Sequence, residues 1–463
     1  MKKLLLFILT ITTTTVFAQL TKIHEFNYSN GQEPFGSLLS EGNSLYGVTS
    51  KGGKNGWGTI FKIQTDGTGF TKIFDFDRIA SGSSPVGSLI SDKTYLYGVT
   101  YGGGTNNMGT IFRIKSDGSG FTKLFEFAGT SNGKLPVGSL LYDGTFLYGM
   151  TQMGGTNDKG VIFKIKPDGS EFNKILDFSG KANGASPQGS LISDGTFLYG
   201  MTNNGGNGTG TNGNGTIFKI KPDGSQYTKL YDFLGIKDGE FPYGSLVSDG
   251  SFLYGTTALG GKNSMGTIFK IKADGTQYAI LLDFANTNGK EPFGSLISVG
   301  TALYGMTQLG GSNNFGVLFK IQTDGTSYTK LGDFTGVLNG KNPYGSLITD
   351  GTNLYGMTQF GGTDFNYSGT IFKYGLSVTS IGNISTSNNT AISVFPNPSK
   401  DIINLISDEK YDSYSIANLI GKTVSKSNIE NNQIDISQLK TGIYLLTVIG
   451  KNEQRKSFKI IKL

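Results

Sequence analysis

The sequence predicts an all-β chain in which a seven-bladed β-propeller of four-stranded blades, closed by the N-terminal strand, precedes a small C-terminal β-sandwich. Three observations predict this architecture. The phrase P-x-G-S-L recurs seven times at intervals of about 50 residues. Each interval holds four short runs rich in β-branched and aromatic residues, which Asp-Gly or glycine-rich turns separate. The phrase that ends most repeats also stands, without its repeat, near the start of the chain.

One repeat shows the predicted strand pattern. The third copy reads GSLLYDGTFLYGMTQMGGTNDKGVIFKIKPDGSEFNKILDF, with GSLLY, TFLYGMT, VIFKIK and EFNKILDF as its predicted strands. Asp-Gly follows the first and third strands, because glycine adopts a positive φ in tight hairpins without steric cost. Apolar residues occupy both faces of the middle strands, as expected for sheets packed on both sides. Gly149, inside the second strand, is expected to admit a phenylalanine of the neighbouring blade.

The phrase LTKIHEF at residues 20–26 has the form of a fourth strand, although no repeat precedes it. The seventh repeat stops at GTIFKYG (369–375), after its third strand. Pairing of residues 20–26 beside Ile371–Tyr374 would complete the last blade from both chain ends and remove an open sheet edge. We therefore expect a closed ring over residues 19–375, with an open solenoid as the alternative.

The repeat resembles the GloVer-type (Gloeo/Verruco) tandem repeat of exported bacterial proteins. The phrases G-S-L, L-Y-G-x-T, G-G and I-F-K-I carry the resemblance, with small variations, in all seven copies. It therefore covers residues 19–375. The resemblance implies export and a repeat architecture, and it brings no set of catalytic residues with it.

Composition excludes several classes of site. The chain carries 40 Lys and Arg against 34 Asp and Glu, a net charge of +6 without a basic run, so nucleic-acid binding is not expected. It has no cysteine, which excludes disulfides and thiolate metal sites. Its one histidine, His24, stands where the other repeats carry mostly apolar residues, so we expect a structural role for it. No cofactor and no metal site is predicted, since the G-G loops are poor in the carboxylates that Ca²⁺ needs.

The N-terminus carries an export signal. Lys2 and Lys3 precede an apolar run over residues 4–16, and Val16-Phe17-Ala18 has the small residues of a cleavage site. Residues 1–18 are therefore predicted to be a secretory signal peptide that engages the Sec machinery. The apolar run is too short to span a bilayer, and no transmembrane segment is predicted elsewhere.

The C-terminal part of the chain has a different pattern. Residues 376–391 are rich in Ser, Thr and Asn and are predicted to be a flexible linker, and residues 392–463 follow as short alternating strands. This last segment resembles the type A C-terminal sorting domain of the type IX secretion system of Bacteroidetes, an immunoglobulin-like β-sandwich. The resemblance rests on phrases that contain the sorting-motif residues Pro396, Asn397, Pro398, Gly421, Gly442, Tyr444, Lys459 and Lys462.

The resemblance of the tail implies a route and a destination. Such proteins use the type IX secretion apparatus to reach the outer cell surface or the medium, and the tail is commonly removed as the cargo is released or attached. Asn418 departs from the family pattern, which often has an acidic residue there. A small immunoglobulin-like accessory module is the alternative.

Two positions that vary between repeats lie on the predicted long-loop face. One follows each repeat proline and would ring the central opening, and the other precedes the glycine before each third strand. Aromatic rings stack on pyranose C–H groups and amides bond hydroxyls, so we predict a surface that binds glycan or protein. Its candidate residues are Trp57, Phe35, Tyr243, Phe293, Phe315 and Tyr344. In the alternative, these side chains plug the channel or pack beneath loops.

The sequence favours a non-catalytic binding protein and leaves two other functions open. Nearly identical blades argue against an active site, since catalysis needs groups that break the repeat symmetry. The acid before each strand-ending phenylalanine, from Glu25 to Asp333, recurs in every repeat and is expected to bond turns. An extracellular carbohydrate-active enzyme would use Glu240 and Glu291 as a carboxylate pair. A purely structural surface protein is the third possibility.

Overall fold

The computed structural model describes the chain as β-strands joined by turns. The described residues are 20–208, 212–363, 368–376, 392–395, 399, 401–407, 410–418, 423–440, 442–450 and 455–462. The predicted signal peptide (1–18) and all but the first residue of the predicted linker lie outside them. Within the described ranges, no helix is long and apolar enough to cross a bilayer. The chain divides into two compact units, Met1–Val378 and Thr379–Leu463.

The first unit contains seven antiparallel sheets of one design, in which four strands lie side by side in a fixed order. The first strands follow the G-S-L phrase and are β2 (Leu39–Glu41), β6 (Ile90–Ser91), β11 (Leu141–Tyr142), β15 (Ile192–Ser193), β19 (Val247–Ser248), β23 (Ile297–Val299) and β27 (Ile348–Thr349). The second strands carry the L-Y-G phrase and are β3 (Ser44–Thr49), β7 (Leu96–Thr100), β12 (Leu147–Met153), β16 (Leu198–Thr202), β20 (Leu253–Thr257), β24 (Ala302–Met306) and β28 (Asn353–Thr358).

The outer half of each sheet is built from the two remaining strand types. The third strands are β4 (Thr59–Gln64), β8 (Thr110–Ile114), β13 (Val161–Ile165), β17 (Thr216–Ile220), β21 (Thr267–Ile271), β25 (Val317–Gln322) and β29 (Thr370–Gly375). The fourth strands are β1 (Leu20–Glu25), β5 (Thr71–Asp75), β9 (Thr122–Glu126), β14 (Asn173–Asp177), β18 (Thr228–Asp232), β22 (Ala279–Asp283) and β26 (Thr329–Asp333). A short extra strand, β10 (Lys134–Pro136), also pairs with β12. The predicted all-β chain of four-stranded antiparallel sheets is confirmed.

Each pair of neighbouring sheets shares one apolar core. In the core between the second and third sheets, Tyr97 and Ile111 meet Leu147 and Phe163. Seven such cores occur in the described part of this unit. One of them joins the last sheet to the first. The middle strands are therefore covered on both faces, which explains why their sequences do not alternate.

The glycine inside each second strand makes room for an aromatic ring, and that ring belongs to the same sheet and not to the neighbouring one. A methyl group at Gly149 would lie 2.5 Å from Cζ of Phe163. Phe163 is the cross-strand partner of Gly149 in the same sheet. The expectation of a phenylalanine from the neighbouring blade is therefore wrong. The aromatic ring of Phe163 lies over Gly149, because glycine has no side chain to occupy that surface of the sheet.

The N-terminal strand closes the ring. Strand β1 pairs with β29 from Leu20 opposite Tyr374 to Glu25 opposite Thr370. Its one-residue bulge recurs in the six other pairs of third and fourth strands, so β1 is a regular fourth strand. The prediction that the chain ends share a sheet is confirmed by this pairing.

The second unit consists of two facing sheets. One contains β30 (Ile392–Phe395), β31 (Ile402–Ser407) and β34 (Gln433–Asp435), and the other contains β33 (Thr423–Asn428), β32 (Tyr411–Asn418), β35 (Gly442–Gly450) and β36 (Arg455–Lys462). Ile403 and Ile434 of the first sheet pack with Ile416 and Leu446 of the second in one buried cluster. This arrangement is a small β-sandwich.

The predicted sorting-motif residues are only partly described. Pro396, Asn397, Pro398 and Gly421 lie outside the described residues. Gly442 begins β35, where the Tyr444 hydroxyl donates a hydrogen bond to the carbonyl of Lys440 (2.9 Å). Lys459 lies in β36. Lys462 is 8% exposed at the end of that strand, 3.8 Å from Oδ1 of Asp401.

Candidate ligand-binding site at the ring axis

The G-S-L phrases form a tight hydrogen-bonded circle at the centre of the seven sheets. The Ser37 amide donates to Oγ of Ser88 at 2.7 Å, and each following serine repeats the bond until the Ser346 amide donates to Oγ of Ser37 at 2.7 Å. A methyl group on any of the preceding glycines would lie 2.3–2.9 Å from the carbonyl oxygen of the next blade's glycine. Only glycine therefore fits, and the opening that these phrases line has a volume of about 80 Å³.

A wider cavity of about 470 Å³, here called the axial cavity, adjoins this opening. Residues from four repeat positions line it. The residues before the repeat prolines contribute Glu33 and Ser84. The end of the second strand and the loop after it contribute Ser50, Lys51, Tyr101 and Gln152. The residues after the prolines contribute Phe35, Val86, Val137, Gln188, Tyr243 and Tyr344.

Four aromatic side chains form an arc on one side of the axis. Phe293 stacks on Tyr344 with ring centroids 5.0 Å apart, while Tyr243 meets Phe293, and Tyr344 meets Phe35, edge to face at 4.5 and 5.0 Å. Burial raises the pKa of Tyr344 and of Tyr243, so both hydroxyls stay protonated. On the other side the same repeat position carries smaller side chains, and this asymmetry leaves the space of the axial cavity.

The remaining wall of the cavity is polar. The Lys51 ammonium lies 2.9 Å from Oε1 of Glu33, a carboxylate whose side chain is only 10% exposed. The Ser50 hydroxyl donates to the backbone carbonyl of Glu33 (2.8 Å). The Tyr101 hydroxyl donates to Oε1 of Gln152 at 3.3 Å. The site therefore combines an ion pair, hydroxyls and amides with an aromatic arc.

Sequence reasoning missed this polar wall. The residue that follows the threonine of each second strand varies between repeats and is often an amide: Ser50, Tyr101, Gln152, Asn203, Ala258, Gln308 and Gln359. Variation at one position inside a nearly constant phrase was the available signal. The residues before the repeat prolines vary in the same way, from Glu33 to Asn342.

The six predicted ligand-binding residues do not form one surface. Phe35, Tyr243 and Tyr344 line the axial cavity, and Phe293 lines only the narrow opening beside it. Trp57 and Phe315 line neither.

Trp57 and Phe315 are each covered by a cation. The Arg78 guanidinium lies 5.3 Å from the ring of Trp57, which remains 39% exposed, and the Lys341 ammonium lies 5.5 Å from the ring of Phe315. The backbone carbonyl of Trp57 accepts a hydrogen bond from the Ser84 amide at 2.9 Å. These positions therefore tie one blade to the next.

The residue before each repeat proline has a left-handed backbone. Glu33 has a φ of 51° and Ser84 a φ of 54°, and the five equivalent residues fall between 53° and 58°. This conformation is unfavourable before proline, so the surrounding structure must hold it. The inter-blade hydrogen bond from the Ser84 amide to Trp57 is one such restraint. Because all seven repeats share the conformation, it belongs to the scaffold that positions the cavity wall.

The acids considered as catalytic candidates lie elsewhere. Neither Glu240 nor Glu291 lines the axial cavity, and burial raises the pKa of Glu240. The acid repeated in every blade bonds a turn, as expected: Oδ1 of Asp75 accepts a hydrogen bond from the Lys54 amide (2.7 Å), and Oε1 of Glu25 accepts one from the Thr363 amide (2.5 Å).

The family of the chain follows from comparison with known protein families. The family model of the Gloeobacter/Verrucomicrobia repeat matches residues 5–211 and 207–393. The chain belongs to this family. A second family model, the secretion system C-terminal sorting domain, matches residues 393–462 of this Gloeobacter/Verrucomicrobia repeat protein. Both resemblances inferred from the sequence are thereby confirmed, and the sorting domain indicates secretion by the type IX system to the cell surface or the medium.

Solved structures with a similar fold are distant in sequence. The extracellular domain of BT4673 from B. thetaiotaomicron is 15% identical with a TM-score of 0.52, over 96% of this chain and 59% of that one. PorZ, a surface component of the type IX secretion system of Porphyromonas gingivalis, is 15% identical with a TM-score of 0.49, over 94% of this chain and 60% of that one. The repeat protein thus spans about three fifths of their length. No curated protein sequence matches it.

Proposed function

We propose that this secreted repeat protein is a non-catalytic binding protein that holds a short glycan in the axial cavity. The asymmetry of the cavity carries the proposal: an aromatic arc with Phe35, Tyr243 and Tyr344 lines it together with the polar side chains of Gln152 and Gln188. Under this proposal residues 1–18 are a signal peptide for Sec export, and residues 19–375 are the binding propeller. Residues 376–391 are then a linker, and residues 392–463 are the sorting domain.

The chemistry of the cavity suits a sugar better than an apolar molecule. A pyranose presents C–H groups on its faces and hydroxyls around its edge, so it needs aromatic rings on one side and hydrogen-bonding groups on another. The volume of about 470 Å³ falls in the ~300–1,000 Å³ range of small-molecule sites. It leaves space for roughly one or two hexose rings.

The composition of the cavity also favours binding over hydrolysis. Glycoside hydrolases use two carboxyl groups that flank the scissile bond. Of the described residues that line the cavity, Glu33 alone carries a carboxylate, and it is engaged by Lys51. An extracellular carbohydrate-active enzyme would therefore need its carboxylate pair at another place.

A glycan array with purified protein tests the proposal, and the repeat itself supplies matched variants. Val137→Tyr fills the cavity at a position where Tyr243 and Tyr344 stand in other blades, so the fold should accept it. We expect this variant to lose binding by about tenfold or more. Gln152→Ala should weaken binding by a smaller factor.

The control is Gln308→Ala, which removes an amide from the same repeat position outside the cavity and should leave affinity unchanged. Failure of the wild-type protein to bind any glycan on the array would instead favour a purely structural surface protein. Binding that survives Val137→Tyr would place the glycan site elsewhere.

A further inference from the structure

We infer that the axial cavity takes the end of a glycan chain and excludes internal segments. This inference rests on the proposed function and adds the mode of recognition. A site that binds internal sugars must be open at two ends, so that the chain can enter and leave. Hydrogen bonds close the floor of the axial cavity, and they join its rim within all seven blades and across six boundaries between blades.

The floor of the cavity is closed by the central circle. Consecutive serines are joined by hydrogen bonds of 2.7–2.9 Å around the whole axis. The glycines before them pack against the carbonyl oxygen of the next blade, and the opening between them holds about 80 Å³. The hydrogen-bonded circle and the small volume of the opening argue against a polysaccharide passing through the floor.

The sides of the cavity are closed by paired loops. Within the first repeat, Gln32 and Lys51 exchange two backbone hydrogen bonds of 2.8 and 3.1 Å. The equivalent pairing of the two long loops occurs in all seven repeats. No lateral gap therefore separates the two loops of one blade.

Neighbouring repeats are joined in the same way. The Ser84 amide donates to the carbonyl of Trp57 at 2.9 Å, and the bond recurs at five further boundaries, the last of them from Asn342 to Phe315 at 2.9 Å. Loop pairing within blades and bonds between blades alternate around the axis. The cavity is therefore a pit whose backbone rim is joined at these six boundaries, and along them no groove opens through which a chain could leave sideways.

The dimensions of the pit decide what fits. Space for roughly one or two hexoses lies beside Phe35, Tyr243 and Tyr344, and further sugars would project into solvent without contact. As the oligosaccharide is lengthened, its affinity should therefore stop rising once it is long enough to fill the pit. A groove would continue to gain affinity, because each added sugar would bury more surface and offer more binding registers.

A ladder of oligosaccharides tests this mode. Linear cello-, xylo-, manno- and chito-oligosaccharides, from disaccharide to hexasaccharide, would be titrated into the full mature protein by calorimetry. For any series that binds, we expect molar Kd values within about threefold from the trisaccharide to the hexasaccharide. In competition at equal mass, long chains should inhibit less than short ones, since they offer fewer ends.

Three outcomes distinguish failure of the end-binding mode from failure of the proposed glycan site. Binding that is lost in Val137→Tyr and independent of length supports both. Binding lost in that variant but strengthened more than about threefold from trisaccharide to hexasaccharide overturns the end-binding mode alone. Binding that Val137→Tyr leaves intact, or no binding of any series or array glycan, overturns the proposed site and the inference with it.

Discussion

At the scale of single residues, His24 shows how one position in a repeat can tolerate a polar ring. Its imidazole stacks parallel on Phe70 with centroids 3.9 Å apart and meets the edge of Phe26 at 5.0 Å. The equivalent site between the next two blades holds the stacked pair Phe74 and Phe121, 4.2 Å apart. Nε2 of His24 is buried without a hydrogen-bond partner. The histidine therefore acts as a packing residue.

This environment predicts a pH dependence. Burial lowers the pKa of His24 from 6.5 to about 4, against the opposing charge of Glu25. Above pH 6.5 neither the folded nor the unfolded chain protonates this ring, so the full stability is present. As pH falls from 6.5 towards 4, only the unfolded chain binds the proton, and the free energy of unfolding should fall by about 2 kcal/mol. His24→Phe should remove this component.

Urea unfolding of both proteins near pH 7 and near pH 4.5 measures the difference. The phenylalanine variant should be at least as stable as the wild type near neutral pH, and its advantage should grow at the lower pH. Carboxylates that do not interact with His24 affect both proteins equally, so they cancel in the comparison. A constant difference at the two pH values would contradict the role given to His24.

The residue types in the repeats predicted the chemistry of the site more accurately than they predicted where the site lies. The aromatic residues after the repeat prolines were predicted to ring the opening, and Phe35, Tyr243 and Tyr344 do line the axial cavity. Trp57 was grouped with them because it varies between repeats, yet it lies away from the cavity under Arg78. The repeat spacing shows which residues occupy equivalent positions in successive blades. The distance of a residue from the central axis depends on the path of its loop, which the spacing does not show.

At the scale of strands, the glycines of the sheets are not equivalent, and this yields a second prediction. Gly149→Ala should destabilise the protein by about 3 kcal/mol or more, because the new methyl group would lie 2.5 Å from the buried ring of Phe163. Gly332→Ala is the matched control in a fourth strand, where the nearest atom would be 3.7 Å away on Leu20. It should stabilise the protein by about 0.5 kcal/mol.

Thermal and urea unfolding of the two alanine variants distinguish these effects. A similar small change for both would mean that Phe163 can turn away at little cost. Leu140, whose Cδ2 atom would lie 3.0 Å from the same methyl group, argues against this, since it limits the space into which the strand could shift.

The four strands of each repeat were predictable because the Asp-Gly turns and the repeat spacing indicate the same boundaries. The side-chain hydrogen bonds within each sheet were not predictable. In five sheets the tyrosine of the second strand donates its hydroxyl to the aspartate of the preceding hairpin, as Tyr148 does to Asp143 at 2.8 Å. The first and sixth sheets carry Glu41 and Val299 in place of this aspartate, each before a glycine with positive φ. Such a bond depends on which way a ring points in a hairpin, which the one-dimensional pattern does not contain.

At the scale of the whole molecule, the ring depends on β1. Deletion of residues 20–25 would leave β29 with an exposed edge and remove Leu20 and Ile23 from two inter-blade cores. We expect the unfolding midpoint to fall by about 10 °C or more and the protein to aggregate. Differential scanning calorimetry and light scattering measure these changes.

A deletion of the same length at residues 380–385, outside the first compact unit, controls for the loss of six residues. A synthetic peptide of residues 19–27, added to the truncated ring, should restore part of the lost stability. An unchanged melting temperature after deletion of β1 would show that the ring does not need its closing strand.

The arrangement of the whole chain was the most predictable level. Seven copies of three strand phrases and a displaced fourth phrase leave few ways to pair every strand, and the closed ring uses all of them. The order of motifs in the tail likewise identified a sorting domain, which the family comparison confirms. The depth of the axial cavity was beyond prediction, because it results from small differences among seven nearly equal side chains.

The sheet that joins β1 to β29 can form only after nearly the whole repeat region has been synthesised. Glu25 and its partner Thr363 are 338 residues apart, so at ~5–20 residues per second the first strand is made roughly half a minute before its partner. Until then the N-terminus has nothing to pair with. A copy that ends before Thr370–Gly375 lacks the strand that pairs with β1, so we expect its sheet edges to stay unpaired and to be cut readily in limited proteolysis.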